Sequence, residues 1–236
     1  SLLYALGYKK DEILDLFYEY NKFTLASSSQ QWKTKFNPNF YRRSMKLNSD
    51  LMDAANGKII LKKGLKINFL IAKKLYDNGL KNILVSQDFF LGKYLHSSIS
   101  DPKTNEVILK TGAQITQENL DTIISIGIKT MTITYTDQIN KGSYLIDTLN
   151  QDKNNNKEEA LNDIYKVLRP GEPPTQEIAN EVFNNLFFNP ERYDLSDVGR
   201  VKLNSRLQID CSHKITVLRK EDIVAVIKNI LDLRDG

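Results

Sequence analysis

An internal repeat with an offset of 48 residues is the feature that most restricts how this chain folds. Residues 53–85 align with residues 101–133 without a gap. The matched positions include Asp53 with Asp101, Ile60 with Ile108, Gly64 with Gly112, and Gly79 with Gly127. Each copy predicts a short strand, a glycine turn, a helix ended by a capping glycine, and a closing strand. Because a stacked solenoid normally needs three or more copies, we expect these two to pack as a pseudo-symmetric pair.

The composition is that of a globular protein. Hydrophobic residues make up 41% of the 236 residues and charged residues 26%, which allows one large domain or two small ones. No apolar run approaches the roughly 18 residues of a membrane span, so we expect a soluble protein with no membrane partner. The single cysteine, Cys211, cannot form an internal disulfide, which fits a reducing, cytoplasmic setting. Because the chain begins with Ser1 instead of methionine, we expect a segment of a longer protein.

The last third of the chain is predicted to be mainly helical. A polar stretch at residues 149–159 is the strongest candidate for a domain boundary. Residues 197–207, DVGRVKLNSRL, alternate apolar and polar side chains and predict a strand or extended segment with one basic face. Three amphipathic helices are predicted around it, with apolar stripes at Leu161, Ile164, Tyr165 and Leu168; at Ile178, Val182, Phe183, Leu186 and Phe187; and at Ile223, Val226, Ile227, Ile230 and Leu231.

Three of the six prolines lie within five residues, in the stretch VLRPGEPPTQE. Proline fixes φ and removes a backbone donor, so this stretch is excluded from a helix interior and from a central strand. It predicts a rigid corner that ends one helix and presents Thr175 as the N-cap of the next. The residues assigned to this structural motif are Arg169, Pro170, Gly171, Pro173, Pro174 and Thr175.

Residues that could catalyse a reaction or bind a metal are few. The only histidines, His96 and His213, lie in different segments, and Cys211 lacks the paired spacing of metal sites. No phosphate-binding glycine loop or common hydrolase motif occurs. The sequence therefore does not predict a self-sufficient enzyme.

Two basic groups are candidates for nucleic-acid contact. In residues 32–46, cations alternate with Trp32, Phe36, Phe40 and Tyr41, a pattern typical of single-strand binding or of a small aromatic core. A hairpin with its loop at ASSSQQ, residues 26–31, is predicted just before it. The second group consists of Arg192, Arg200, Lys202 and Arg206, which bind either phosphates or the neighbouring acids Asp194 and Asp197.

Several of these stretches resemble the beta-subunit family of bacterial DNA-directed RNA polymerase. The similar segments follow the family's order and read LLYALGYKKDEILDLFY, YKVLRPGEPPT, LFFNPERYDLSDVGRVKLN and LRKEDIVAVIKNILDLRDG. The resemblance is specific over residues 157–236 and weaker in the middle of the chain. It implies an α+β fold, in which an α-rich lobe portion is interrupted by a mixed α/β insertion containing the two tandem strand-turn-helix-strand repeats. Residues 1–18 and 157–236 correspond to the lobe, and residues 19–156 to a lineage-specific insertion.

The resemblance also implies a function. The family makes RNA from nucleoside triphosphates on a DNA template, with Mg²⁺ bound by the beta-prime subunit, so we expect no catalytic residue, metal or cofactor in this segment. The implied role is to wall the downstream DNA channel and offer a surface to regulators. Implied partners are DNA and the beta-prime, alpha, omega and sigma subunits, in a cytoplasmic, nucleoid-associated enzyme. We expect Arg192, Arg200, Lys202 and Arg206 to face the DNA backbone and Arg169 to anchor the proline corner.

An alternative is that the chain is a protein-interaction module with no direct DNA role. Residues 1–156 carry 21 Lys/Arg and 15 Asp/Glu, whereas residues 157–236 carry 12 and 14. The positive surplus and the repeats therefore lie together, away from the motifs shared with the lobe. In this interpretation the insertion docks sigma or transcription factors.

Overall fold

A computed structural model describes residues 1–26 and 31–236 of the chain. The predicted hairpin loop falls mostly on residues 27–30, outside the described residues. The described residues form α-helices and antiparallel sheets, which confirms the α+β class. They divide into two compact units, a helical unit of Ser1–Ile13 with Gln151–Gly236 and a central unit of Leu14–Asn150.

The helices and strands have the following bounds. The helices are α1 Leu2–Ala5, α2 Lys10–Phe17, α3 Phe69–Asp77, α4 Gln117–Ser125, α5 Tyr144–Gln151, α6 Lys157–Leu168, α7 Gln176–Phe187, α8 Ser196–Leu207 and α9 Lys220–Asp235. The strands are β1 Tyr20–Leu25, β2 Trp32–Lys35, β3 Met45–Lys46, β4 Leu51–Asp53, β5 Ile59–Leu61, β6 Lys66–Ile67, β7 Asn82–Val85, β8 Tyr94–Leu95, β9 Ile99–Ser100, β10 Val107–Leu109 and β11 Thr130–Thr134.

The central unit is built on a seven-stranded sheet with the order β5-β4-β7-β2-β1-β11-β8. The hairpin of β1 and β2 lies in the middle, and each neighbouring pair is antiparallel. The closing strands of the two repeats, β7 and β11, lie on opposite sides of this hairpin and therefore run in opposite directions. Two small two-stranded sheets, β3 with β6 and β9 with β10, complete the strand pairing of the described residues.

Matching elements of the two repeats lie 48 residues apart. Helix α3 corresponds to α4, β5 to β10, and β7 to the first four residues of β11. The helix caps also correspond, since Asn68 accepts the Ile71 amide at 3.0 Å and Thr116 accepts the Asn119 amide at 3.3 Å. Each helix is followed by a glycine with positive φ, Gly79 at 106° and Gly127 at 74°, a conformation that suits glycine.

The aromatic residues in and after β2 are mostly buried. Trp32, Phe36 and Phe40 are buried, and the Trp32 ring meets Phe90 edge-on at 5.6 Å between centroids. Phe23 on β1 meets the same Phe90 ring at 5.0 Å. Of the two interpretations of this stretch, the structure supports the aromatic core. The alternating lysines of β2 point to the opposite face of the sheet.

The helical unit corrects two predictions. Residues 197–207 lie in α8 and not in a strand, because contacts of α8 with α9 and with the loop that joins the two helices override the local alternation of side chains. The predicted stripes of α7 and α9 are also partly wrong. Ala179 and Phe183 are buried on α7, and Ile223, Val224 and Leu231 on α9, whereas the predicted stripe members Ile178, Leu186, Val226 and Ile230 are exposed. Thr175 is confirmed as an N-cap, with its Oγ1 accepting the Ile178 amide at 3.3 Å.

Candidate nucleic-acid interface

Helix α8 begins at side-chain contacts and ends at a backbone hydrogen bond. The Ser196 hydroxyl accepts the Gly199 amide at 3.3 Å, as an N-cap does, and the Asp194 carboxylate accepts the Ser196 amide at 2.8 Å. At the other end, Gln208 takes a left-handed conformation with φ 53°. The Ile209 amide then returns to the Asn204 carbonyl at 3.0 Å. Asp194 is thus used by the backbone of the helix start.

Arg200 lies on the buried face of α8, and its side chain has no exposed surface. Its Nη1 donates to the Asp222 carboxylate at 2.7 Å, its Nε donates to the Ile215 carbonyl at 2.6 Å, and its Nη2 donates to the Val217 carbonyl. The prediction that Arg200 faces the DNA backbone is therefore wrong. A guanidinium buried on all sides by its own chain has no surface left for a phosphate.

Asp222, on the first turn of α9, is also fully buried. It accepts the Arg219 amide at 2.8 Å and the Arg219 side chain at 3.0 Å, in addition to Arg200. Burial alone raises the pKa of Asp222, but the hydrogen bonds from Arg219 and Arg200 outweigh it and hold that pKa below its ordinary value. The carboxylate is therefore charged when it pairs with Arg200.

The segment after α8 is bonded to the helices along its length. The Asn204 side chain donates to the Cys211 carbonyl at 2.6 Å, and the Leu195 amide donates to the Thr216 carbonyl at 2.7 Å. Together with Arg200, these contacts hold α8 on its inner side. The orientation of its outer side is fixed as a consequence.

The outer side of α8 presents two cations. Lys202 and Arg206 are exposed and stand one turn apart, at i and i+4, so both point the same way. Arg192 is exposed in the turn before the helix. None of the three forms an ion pair with any residue the structure describes, including Asp194 and Asp197. Internal pairing with Asp194 or Asp197 is therefore not found for these three cations among the described residues.

The proline corner is held by one acidic side chain. Glu172 accepts the Tyr165 hydroxyl at 2.7 Å and lies 3.7 Å from the Arg169 guanidinium. Gly171 has φ 91°, which a residue with a side chain adopts only with strain. Arg169 therefore contacts the corner through an exposed ion pair with Glu172, and such pairs are of modest strength.

A cavity of about 690 Å³ opens in the central unit beside Phe36, Tyr41, Lys93, Tyr135 and Asp137. Burial raises the pKa of Tyr41 to about 12 and lowers that of Lys93. The Asp137 carboxylate is occupied by the Tyr135 hydroxyl at 2.7 Å and by backbone amides of the following turn. The Lys93 ammonium donates to the Thr136 carbonyl at 2.8 Å, so both Lys93 and Asp137 are held by neighbouring groups.

No metal-binding group or membrane span is found in the described part of the chain. Among residues 1–26 and 31–236, no set of three or more His, Cys, Asp or Glu side chains is arranged to hold a metal ion. No helix within these ranges is long and apolar enough to cross a membrane.

Comparisons with known proteins give a consistent result. Residues 131–236 match the family model described as RNA polymerase Rpb2, domain 2. The whole chain is 41% identical to the DNA-directed RNA polymerase subunit beta of Rhizobium leguminosarum bv. trifolii, and 42% identical to those of Caulobacter sp. and Rickettsia rickettsii. The chain spans 17% of the length of each of these relatives.

Proposed function

We propose a role in transcription for this chain, which belongs to the beta-subunit family of bacterial DNA-directed RNA polymerase. The whole protein would take part in RNA synthesis from nucleoside triphosphates on a DNA template, in the bacterial cytoplasm at the nucleoid. Its partners would be the beta-prime, alpha, omega and sigma subunits and DNA. The segment described here would supply no catalytic group, and the Mg²⁺ ions of the reaction would be held by beta-prime.

Within that enzyme, the helical unit would line the downstream DNA channel and contact DNA without sequence preference. The observation that carries this proposal is the pair of unpaired cations, Lys202 and Arg206, on the outer side of a helix that Arg200 and Asp222 hold in place. Arg192 adds a third exposed cation. Because each phosphate neutralised by a cation releases counterions, such contacts strengthen binding and make it sensitive to salt.

The test is the double substitution Lys202→Ala with Arg206→Ala in whole polymerase. We expect weaker binding to all DNA sequences alike, and a salt dependence of log K shallower by about one unit per lost contact. Lys153→Ala is the matched control, since Lys153 is an exposed cation of the same unit away from α8. An unchanged salt slope and unchanged open-complex stability in the double variant would contradict the proposal.

A second candidate role is docking of regulators on residues 19–156, the proposed insertion. The observation that favours it is the exposure of apolar side chains on the sheet of the central unit, with Ile59 at 49%. The Leu145 amide donates to the Tyr18 hydroxyl at 3.2 Å, so the two chain ends of this unit lie close together and the unit can be deleted with a short linker. We expect a polymerase lacking residues 19–156 to retain RNA synthesis and to lose binding of a regulator. Unchanged binding of sigma and transcription factors would contradict this role.

A further inference from the structure

The seven-stranded sheet of the central unit has one buried face and one face open to solvent. Along β1 and β2 the buried side chains Phe23, Trp32 and Thr34 alternate with exposed ones. Because successive side chains of a strand point to opposite faces, Lys22, Lys33 and Lys35 all project from the open face. The open face is therefore basic along its central hairpin.

The same open face continues into an apolar area on the strands beyond β2. The register pairs Lys33 with Leu84 on β7, Leu84 with Met52 on β4, and Met52 with Ile59 on the edge strand β5. Directly paired residues share a face, so Leu84 and Met52 lie together on the open face. The register of β4 with β5 shifts between Leu51 and Met52, which sets Ile59 opposite Met52 and extends the row to a third strand. We call this row the apolar row. Ile59 is 49% exposed, and Leu84 and Met52 are partly exposed.

The second repeat has no equivalent row. With the offset of 48 residues, Met52 corresponds to Ser100, Leu84 to Thr132 and Ile59 to Val107. The two copies share their helices and caps, but β4 and β5 join the seven-stranded sheet whereas β9 and β10 form a separate sheet. Only the first copy places two large apolar side chains where the second has hydroxyls.

Lysines lie along one side of the apolar row. Lys33 lies directly next to Leu84, and Lys35 projects from the same face of β2 two residues further on. Neither ammonium group forms an ion pair with any residue that the structure describes. The outward positions of β1, β2, β4, β5, β7 and β11 carry no Asp or Glu. An apolar centre with a charged rim is the arrangement found at protein–protein interfaces.

We propose that this open face docks an amphipathic helix of a partner protein, with apolar side chains on the apolar row and acidic side chains toward Lys33 and Lys35. Three strands spaced about 4.8 Å apart present a row about 10 Å wide, which matches the diameter of an α-helix. The proposal rests on the second candidate role and names its surface and the chemistry of its partner. Single-stranded nucleic acid fits less well because the aromatic side chain at this face, Tyr20, is already stacked on His96 at 4.2 Å.

The test uses whole polymerase and a synthetic amphipathic helix of about 18 residues, roughly 27 Å long, with a leucine stripe between rows of glutamate. Its affinity is measured by fluorescence anisotropy. Met52→Ser with Leu84→Thr replaces two apolar side chains of the row by the residues found in the second repeat. Lys33→Gln with Lys35→Gln removes the charges beside the apolar row. Lys103→Gln with Lys110→Gln is the control, because both lysines are exposed in the second repeat.

We expect both test pairs to weaken peptide binding by about tenfold or more, and the control pair to leave it unchanged. A peptide with lysine in place of glutamate is expected not to bind. The proposal is overturned if wild-type polymerase does not bind the acidic peptide, or if the serine and threonine substitutions leave binding unchanged. It is also overturned if duplex DNA, and not the peptide, loses affinity in the lysine variant, because the face would then bind nucleic acid. None of these outcomes depends on Lys202 or Arg206, so failure here is distinct from failure of the DNA-contact proposal.

Discussion

The Arg200 guanidinium and the Asp222 carboxylate lie 2.7 Å apart, and neither side chain has exposed surface. This pair joins α8 to α9 inside the helical unit. Charges so deeply buried are tolerated only when their remaining hydrogen-bonding capacity is used. Here the other guanidinium nitrogens reach the carbonyls of Ile215 and Val217, and Asp222 accepts two further bonds from Arg219.

Substitution Arg200→Ala is expected to destabilise the helical unit by about 3 kcal/mol, because it leaves Asp222 buried with one partner fewer. The measurement is hydrogen exchange of residues 196–235 in whole polymerase, where this loss corresponds to roughly 100-fold faster exchange through local opening. Arg206→Ala, an exposed arginine of the same helix, serves as the control and is expected to change exchange little. Wild-type protection in the Arg200→Ala variant would show that the pair does not anchor α8.

Arg200→Lys tests the geometry separately from the charge. Lysine keeps the positive charge but lacks the planar set of donors that reaches Asp222 and two carbonyls at once. We expect this variant to exchange faster than the wild type. A lysine variant with wild-type protection would mean that charge alone holds the helices together.

The same pair predicts a dependence of stability on acid. The pKa of Asp222 is lower in the folded protein than its ordinary value, so the folded state favours the charged carboxylate. Its contribution is fully present above the unfolded pKa of about 3.9, and it is lost as pH falls through the lower folded value. Asp222→Asn cannot titrate and is expected to be less stable at neutral pH, with a flatter acid dependence. Hydrogen exchange of α8 and α9, corrected for its intrinsic pH dependence, measures both. Parallel acid profiles in wild type and Asp222→Asn would contradict the assignment.

How far the sequence predicted this structure depended on whether the signal was local. The proline corner follows from the backbone restrictions of proline. The N-cap at Thr175 follows from a hydroxyl that bonds an amide only three residues further along the chain, so both were predictable. The burial of Arg200 was not. Arginine is seldom fully buried, and its partners Asp222 and Ile215 meet it only after the loop folds back onto α8. The apolar row on the sheet was also missed, because its residues come from three separate strands.

Thr175→Ala tests the end of the proline corner. Its Oγ1 accepts the Ile178 amide at 3.3 Å, and loss of such a cap costs typically about 1 kcal/mol. Thr175→Ser retains the hydroxyl and is the matched control, which we expect to stay within a few tenths of a kcal/mol of wild type. The amides of the first turn of α7 report the difference by hydrogen exchange. Equal exchange in the alanine and serine variants would show that the hydroxyl contributes nothing to this helix start.

The caps of the two repeat helices provide the last prediction. Asn68 and Thr116 occupy equivalent positions and make the same type of bond to the amide three residues on, at 3.0 Å and 3.3 Å. We therefore expect the swapped caps, Asn68→Thr and Thr116→Asn, to change the free energy of unfolding by only a few tenths of a kcal/mol, since both side chains are good caps. Asn68→Ala and Thr116→Ala are each expected to cost about 1 kcal/mol, confined to α3 and α4 respectively. Hydrogen exchange resolves the two helices separately. If a swapped cap destabilises its helix as much as alanine does, then the two sites are not equivalent and the side chain at each has a further contact.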